Sequence, residues 1–258
     1  MSDWRRNALR IAMPWLAIAV LLVVWEIACI VFDVPEILLP RPTKVFEVFV
    51  ARFDILLLFC WQTLWTTLIG FVLAIAGGLL LGLAIGASPF IYSGLYPLLI
   101  AFNAVPKVAL VPILMIWVGV GAVPAVVTAF VISFFPIVVN VATGLATIEP
   151  EMRDVLRSLG ATHTEILTKV GIPRAMPYLF ASLKVAITLA FIGSVISETV
   201  GGNRGIGFLM LSAGARNDAP TTFAGLFAIA IMGVLMYAVC ALVEKRMTRW
   251  AFRGEIVS

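Results

Sequence analysis

Residues 149–177 read Glu149-Pro150-Glu151-Met152-Arg153-Asp154-Val155-Leu156-Arg157-Ser158-Leu159-Gly160-Ala161-Thr162-His163-Thr164-Glu165-Ile166-Leu167-Thr168-Lys169-Val170-Gly171-Ile172-Pro173-Arg174-Ala175-Met176-Pro177. They form a polar island in a chain otherwise built of apolar runs of membrane length. Met152, Val155, Leu156 and Leu159 recur at helical spacing, which predicts a short helix with one apolar stripe, and Gly160 stands where a left-handed cap ends it. Thr162 with Glu165 reads as a capping box opening a second short helix, whose apolar face is Ile166, Leu167 and Val170. Gly171 and Pro173 are expected to stop that helix. Two stub helices joined by a glycine turn present a knob, and such an island is where a membrane protein meets something soluble.

The rest of the chain sets the class. It is 62% hydrophobic with a mean hydropathy of +1.09, beyond what a soluble domain of 258 residues shows. An all-α, polytopic membrane protein is expected, with six spans near 12–32, 60–86, 93–118, 122–146, 177–200 and 222–243. With no internal repeat and no long polar linker, residues 1–258 read as one membrane domain. Arg5, Arg6, Arg10, Arg153, Arg157, Lys169, Arg174, Lys245, Arg246, Arg249 and Arg253 fall on one side, against Arg41, Lys44, Arg52, Arg204 and Arg216 on the other. This bias predicts that both termini and the knob face the cytoplasm. It also accounts for the net charge of +4 as a solvated collar, so no nucleic-acid partner is expected. The first apolar run is too long for a cleaved leader and lacks a clear cleavage site, and is read as a retained span.

Between the first two spans, Thr43 to Phe53 reads as a helix lying in the outer interface, with membrane lipid as its neighbour. The second span carries Gly70, Gly77, Gly78, Gly82 and Gly86. Their four-residue spacings suit a central helix closely approached by another, or reflect the ordinary glycine enrichment of membrane helices. In the third span Asn103, Pro106, Lys107 and Pro112 stand out. Read as a helix bent by its prolines, this span carries Lys107 about 18 Å from its start, near the midplane, where an ammonium costs about 3 kcal/mol or more unless it is partnered. Either it lines a translocation route that also takes in Glu198, or it snorkels or pairs internally with Glu198 or Glu26.

Catalytic chemistry finds little footing. His163 is the sole histidine and lies in the knob; Cys29, Cys60 and Cys240 are scattered without metal-ligand spacing and read as buried thiols. The glycine-rich stretch Gly201 to Arg216 lacks the Gly-Lys-Ser/Thr of a phosphate loop; it reads as a tight turn into a short re-entrant or interfacial helix, Ile206 to Ala215, beside Glu198. No cofactor, no metal site and no enzymatic activity are expected in this chain.

The island resembles the cytoplasmic loop of binding-protein-dependent ABC importer permeases, which reads Glu-Ala-Ala, three residues, Gly, nine residues, Ile-x-Leu-Pro. Asp154 stands at the Glu, Val155 and Leu156 at the two Ala, Gly160 at the Gly followed by Ala161, Val170 at the Ile, Ile172 at the Leu and Pro173 at the Pro. The spacing from Gly to Pro is intact, while Asp154, Val155 and Leu156 depart from the pattern and keep only its acidic-then-apolar character. Pro106, Ala109, Leu110, Pro112, Trp117 and Gly119 are similar to the nitrate, sulfonate and taurine branch, as are Phe135-Pro136, Asn140, Ser197-Glu198 and Arg204 to Phe208. The similarity runs from about Leu38 to Trp250.

The resemblance implies a six-span type I importer permease that works as a homodimer. Residues 149–176 would hold the coupling helix that seats in a separate ATP-binding subunit, where ATP and Mg would be used. A periplasmic or lipid-anchored binding protein would deliver a small polar or anionic solute, of the sulfonate, nitrate, taurine, aromatic carboxylate or pyrimidine-precursor kind, for import by alternating access. The competing class is an ion-coupled secondary transporter or channel using Lys107, Glu26 and Glu198 as a relay; inverted repeats are expected there and none is evident.

Overall fold

In the computed structural model of the chain, residues 3–146 and 150–248 are described, with side chains from residue 12 onward except those of Pro89 and Pro150. The expectations placed on the side chains of Arg5, Arg6 and Arg10, and on Glu149, Arg249, Trp250 and Arg253, lie outside the described residues. The elements in order are α1 (Asp3–Val31), α2 (Pro42–Ala51), α3 (Phe53–Gly86), α4 (Pro89–Ala104), a 3-10 turn (Lys107–Leu110), α5 (Val111–Val118), α6 (Ala122–Ala146), α7 (Pro150–Ser158), α8 (His163–Ile166), a π-helical turn (Leu167–Gly171), α9 (Ile172–Gly201), α10 (Ile206–Ala215) and α11 (Ala219–Met247). No strand occurs among the described residues.

Five helices are long and apolar enough to cross a membrane, and α4 with α5 makes a sixth only as a pair bent by 74°. The third span is therefore broken, where a single bent helix was expected. Pro106 forces the preceding Val105 into an extended conformation (φ −66°, ψ 130°), which ends α4. Pro112 does not bend a helix; it sits in the first turn of α5, where a missing N–H costs nothing.

The interior is a three-helix stack of α3, α6 and α9. Gly70, Gly78, Gly82 and Gly86 of α3 face Ala129, Ile137, Val141 and Leu145 of α6 in the same order, so the two helices run parallel. At each of the four, an added Cβ would lie 2.6–2.8 Å from a neighbouring atom, so the absent side chains set the distance of approach. The helix α9 runs antiparallel to both, with Gly144 of α6 against Ala175 and Gly193 of α9 against Ala129. Phe71, Ile137, Val141, Ile187 and Phe191 fill the space between.

Helices α2, α10 and α11 close the end opposite α7, around Val45, Leu56, Ile206, Leu209 and Ala224. α1 is fastened mainly at its last turns. There Trp25 stacks on Phe227 (6.2 Å between centroids), and the Glu26 carboxylate accepts from the Thr43 N–H (3.1 Å) and hydroxyl (2.9 Å). Glu26 thereby supplies the cap for α2 that its own Arg41 does not.

Candidate functional site

The knob is built by local rules. Gly160 takes φ +85°, and the Ala161 and Gly160 N–H groups donate to the Leu156 (3.0 Å) and Arg157 (2.9 Å) carbonyls. That is the paired bonding of a glycine cap, which turns the chain at once into the next helix. Thr162 and Glu165 form the full capping box, and Lys169 closes on the Glu165 carboxylate at 3.0 Å. The Thr162 N–H, the Lys169 ammonium and the Thr162 hydroxyl hold the Glu165 carboxyl well below the usual range, at about 2.

Gly171 and Pro173 do not end the second helix, contrary to expectation. Pro173 has no N–H to offer the Lys169 carbonyl and its ring would strike that group in a regular helix. The backbone widens by one residue ahead of it, with the Ile172 N–H donating to the Leu167 carbonyl, and runs on into α9. From His163 to Gly201 the chain is one helical rod, joining the knob to the core without a loop.

Among the described residues α7 packs on α8 and makes no other comparable contact. Its stripe is left without a partner: Val155 is 58% and Leu159 78% exposed, while Met152 and Leu156 are half-buried. Leu156, Gly160, Ala161, Glu165, Ile166 and Val170 line a cleft of about 270 Å³ between the two stubs. Asp154 is exposed on α7, and Ile172 and Pro173 stand half-buried at the root of α9. Of the sequence-predicted coupling residues, Leu156, Gly160, Ala161 and Val170 share the cleft, while Asp154 and Val155 lie on α7 and Ile172 and Pro173 at the start of α9 outside it.

The second predicted set does not gather in one place. Asn103 and Lys107 meet at the break of the third span, where the ammonium donates to the Asn103 carbonyl (2.9 Å) and side-chain oxygen (3.0 Å). It lies 5.0 Å from the centre of the Phe135 ring, a favourable cation–π distance. Neither Glu198 nor Glu26 is its partner. Glu198 is 3% exposed and its Oε2 accepts from the Thr63 hydroxyl (2.8 Å) and the Gly207 N–H (3.1 Å), while the Ile206 N–H donates to Thr63 Oγ1 (2.9 Å). Gly205, at φ +93°, passes so close to the carboxyl that a Cβ there would overlap it. The glycines after α9 therefore wrap the backbone around a buried carboxyl group, clasping α3, α9 and α10 together.

Two polar links escaped the reading of the sequence. Lys184 of α9 meets Glu244 of α11 at 2.7 Å, and Arg52 meets Asp218 at 2.7 Å. Lys184 is a lone charge in an apolar run, while Glu244, Arg52 and Asp218 stand beside other charges at the ends of such runs, and each partner lies far along the chain. Among the described residues no three His, Cys, Asp or Glu side chains gather to hold a metal ion.

Residues 74–249 match the family described as the binding-protein-dependent transport system inner membrane component. The chain is 30% identical over 241 residues to the formylaminopyrimidine transport permease ThiX of Halalkalibacterium halodurans, covering 92% of this chain and 95% of that one. It is 27% identical to the taurine transport permease TauC of Escherichia coli, covering 93% and 89%. The fold is similar to a chain of the methionine ABC transporter MetNI in an inward-facing form, at a TM-score of 0.61 and 22% identity, covering 72% of this chain and 93% of that one. The chain belongs to the binding-protein-dependent ABC importer permeases, as a multi-pass inner-membrane transport component of the nitrate, sulfonate and taurine branch.

Proposed function

We propose that this permease is the membrane half of an ATP-driven importer, and that α7 and α8 dock on a separate ATP-hydrolysing subunit. The observation that carries this reading is the apolar stripe of α7. Exposed apolar side chains on the long helices have lipid to cover them, whereas Val155 and Leu159 stand on a polar element outside the spans. Asp154, Val155, Leu156, Gly160 and Ala161 form the docking end, and Val170, Ile172 and Pro173 form the joint to α9. ATP and Mg act in the partner, and this chain contributes no hydrolytic group.

Closure of the nucleotide-binding pair pulls the knob, the rod from His163 to Gly201 transmits the displacement, and the α3–α6–α9 stack re-orients in alternating access. The chain works as a homodimer with the solute route at its axis, its termini and knob facing the cytoplasm. A periplasmic or lipid-anchored binding protein delivers solute to the opposite face. Asn103, just before Pro106, and Lys107, between Pro106 and Pro112, offer an amide and an ammonium at the break of the third span. They suit a small polar or anionic solute, as do the pyrimidine and the taurine named for the two relatives. Glu198 serves the route indirectly, by holding α10 against α3 and α9.

The test is reconstitution in vesicles with and without the ATPase subunit and the binding protein. Uptake of the solute carried by the binding protein requires both partners and ATP. Uptake driven by an ion gradient through this chain alone overturns the reading.

A further inference from the structure

Opposite the knob, the end of the bundle carries a pocket that belongs neither to the docking surface nor to the broken span. α3 runs parallel to α6, whose far end leads to the knob, so Phe53 marks the other face. At 34 residues α3 is about 51 Å long, against about 30 Å for a hydrocarbon core, so it reaches beyond the core, and the charges of Arg52 at its cap and Asp54 in its first turn place that end at headgroup level. The exposed Phe46, Val50, Phe53 and Ile55 agree with that depth, being apolar residues held at a membrane interface.

The pocket measures about 170 Å³. Val48, Leu56, Leu209 and Ala224 form its apolar walls, and two guanidinium groups, Arg52 and Arg216, stand at its rim. Arg52 is balanced: its Nη1 donates to Asp218 (2.7 Å) and to the Thr221 hydroxyl (2.6 Å). Asp218 in turn accepts from the Thr221 N–H (3.2 Å) and hydroxyl (2.8 Å), so its acceptors are already engaged. Arg216 makes no ion pair among the described residues. Two cations and one anion leave the rim with one positive charge in excess. On the other flank of α2, Leu22, Phe46, Phe49 and Phe227 line a groove of about 190 Å³ that is apolar throughout, the chemistry of an acyl chain.

We infer that the pocket seats an anionic phospholipid, with its phosphate diester on the Arg216 and Arg52 guanidiniums and the glycerol end of its chains on Val48, Leu56 and Leu209. Guanidinium matches phosphate in planar, two-point fashion, and the excess positive charge matches the single negative charge of a phosphatidylglycerol. A small soluble anion would use the rim and leave the apolar walls wet. A lipid covers both, and its position ties the C-terminal ends of α2 and α10 to the first turns of α3 and α11, at the end of the bundle where Arg52 already bridges to Asp218.

The experiment is native mass spectrometry of the full-length chain in detergent, titrated separately with phosphatidylglycerol, phosphatidylcholine and inorganic phosphate. One phosphatidylglycerol is retained more tightly than phosphatidylcholine, inorganic phosphate does not displace it, and R216Q weakens it about tenfold, as expected for loss of a charge-assisted contact. Val48→Trp fills the pocket from the wall side and gives the same loss, which keeps the test decisive should R216Q not be recovered folded. Equal retention of both lipids, displacement by phosphate, or unchanged binding in the variants overturns the proposal. Loss of a bound acidic protein in place of lipid from R216Q also overturns it.

Discussion

A Cβ placed on Gly82 would come 2.7 Å from Val141, whereas one placed on Gly160 would meet nothing within 4 Å. The two glycines do different work. In the α3–α6–α9 stack the missing side chain is space, and the neighbour that uses it belongs to the same chain. In the knob the missing side chain permits a backbone of φ +85° that other residues adopt only under strain, and the surroundings are empty. The interior packs within one polypeptide, while the knob presents a turn and an apolar stripe that no described residue covers. A region that satisfies its local rules so fully and still leaves Leu159 exposed among the described residues is what the proposed docking on a partner would use.

The contrast can be broken most forcefully from the inside. Gly82→Leu forces a side chain between α3 and α6, against the Val138 carbonyl as well as Val141, and overpacking of this kind costs about 1–3 kcal/mol or more. The yield of monodisperse protein after detergent extraction falls and its thermal midpoint drops; an unchanged midpoint would show that the helices are not in contact. Gly160→Val has the opposite profile. It costs about 1–2 kcal/mol in a single turn, leaving the midpoint of the spans in place while uptake in the reconstituted importer is lost. Normal uptake there removes the docking role.

Leu159→Asp leaves the fold alone and weakens capture of the ATPase subunit by about tenfold or more, the worth of one buried leucine, when read by co-purification from a titrated mixture. Equal capture would place the partner elsewhere on the chain. Lys107→Met separates a third region from both: uptake of an anionic solute falls while the thermal midpoint stays within error, since the ammonium hydrogen-bonds only Asn103, four residues back, and meets α6 only over the exposed break at the Phe135 ring. Parallel loss of both would make it a structural residue.

The smallest effect lies in the capping box. Glu165 binds its proton more weakly when folded, so its contribution is complete above the ordinary carboxylate value of 4.5 and fades as pH falls towards about 2. Hydrogen exchange at the Thr162 amide is therefore flat between pH 7 and pH 5 once corrected for intrinsic rates, and faster in Glu165→Gln. A change in protection across that interval would show that the cap is not formed.

Legibility followed the range of the interactions. α6 begins, and α10 begins and ends, where the sequence placed them, at Ala122 and at Ile206–Ala215, because glycines such as Gly121 and Gly205 act within a few residues. The knob was equally plain, its glycine cap and capping box being motifs of six residues or fewer. Sequence reasoning failed at the prolines. Pro106 broke a span that was expected only to bend, and Pro173 was absorbed into a helix it was expected to stop. Whether a proline ends, bends or widens a helix depends on what packs around the freed carbonyl, and that is a tertiary matter.

The amino-acid sequence alone determined that this chain lives in a membrane, that its spans number about six and that a capped two-stub knob lies between two of them. Those outcomes rest on hydropathy over some twenty residues and on hydrogen bonds between near neighbours. Only the tertiary structure decided that Glu198 is clasped by Thr63 and a glycine-wrapped loop, that Lys107 answers to Asn103, and that Lys184 finds Glu244. The Glu198 and Lys184 choices pair polar groups far apart in the chain, which the packing of apolar helices brings within 3 Å, and no local pattern records them.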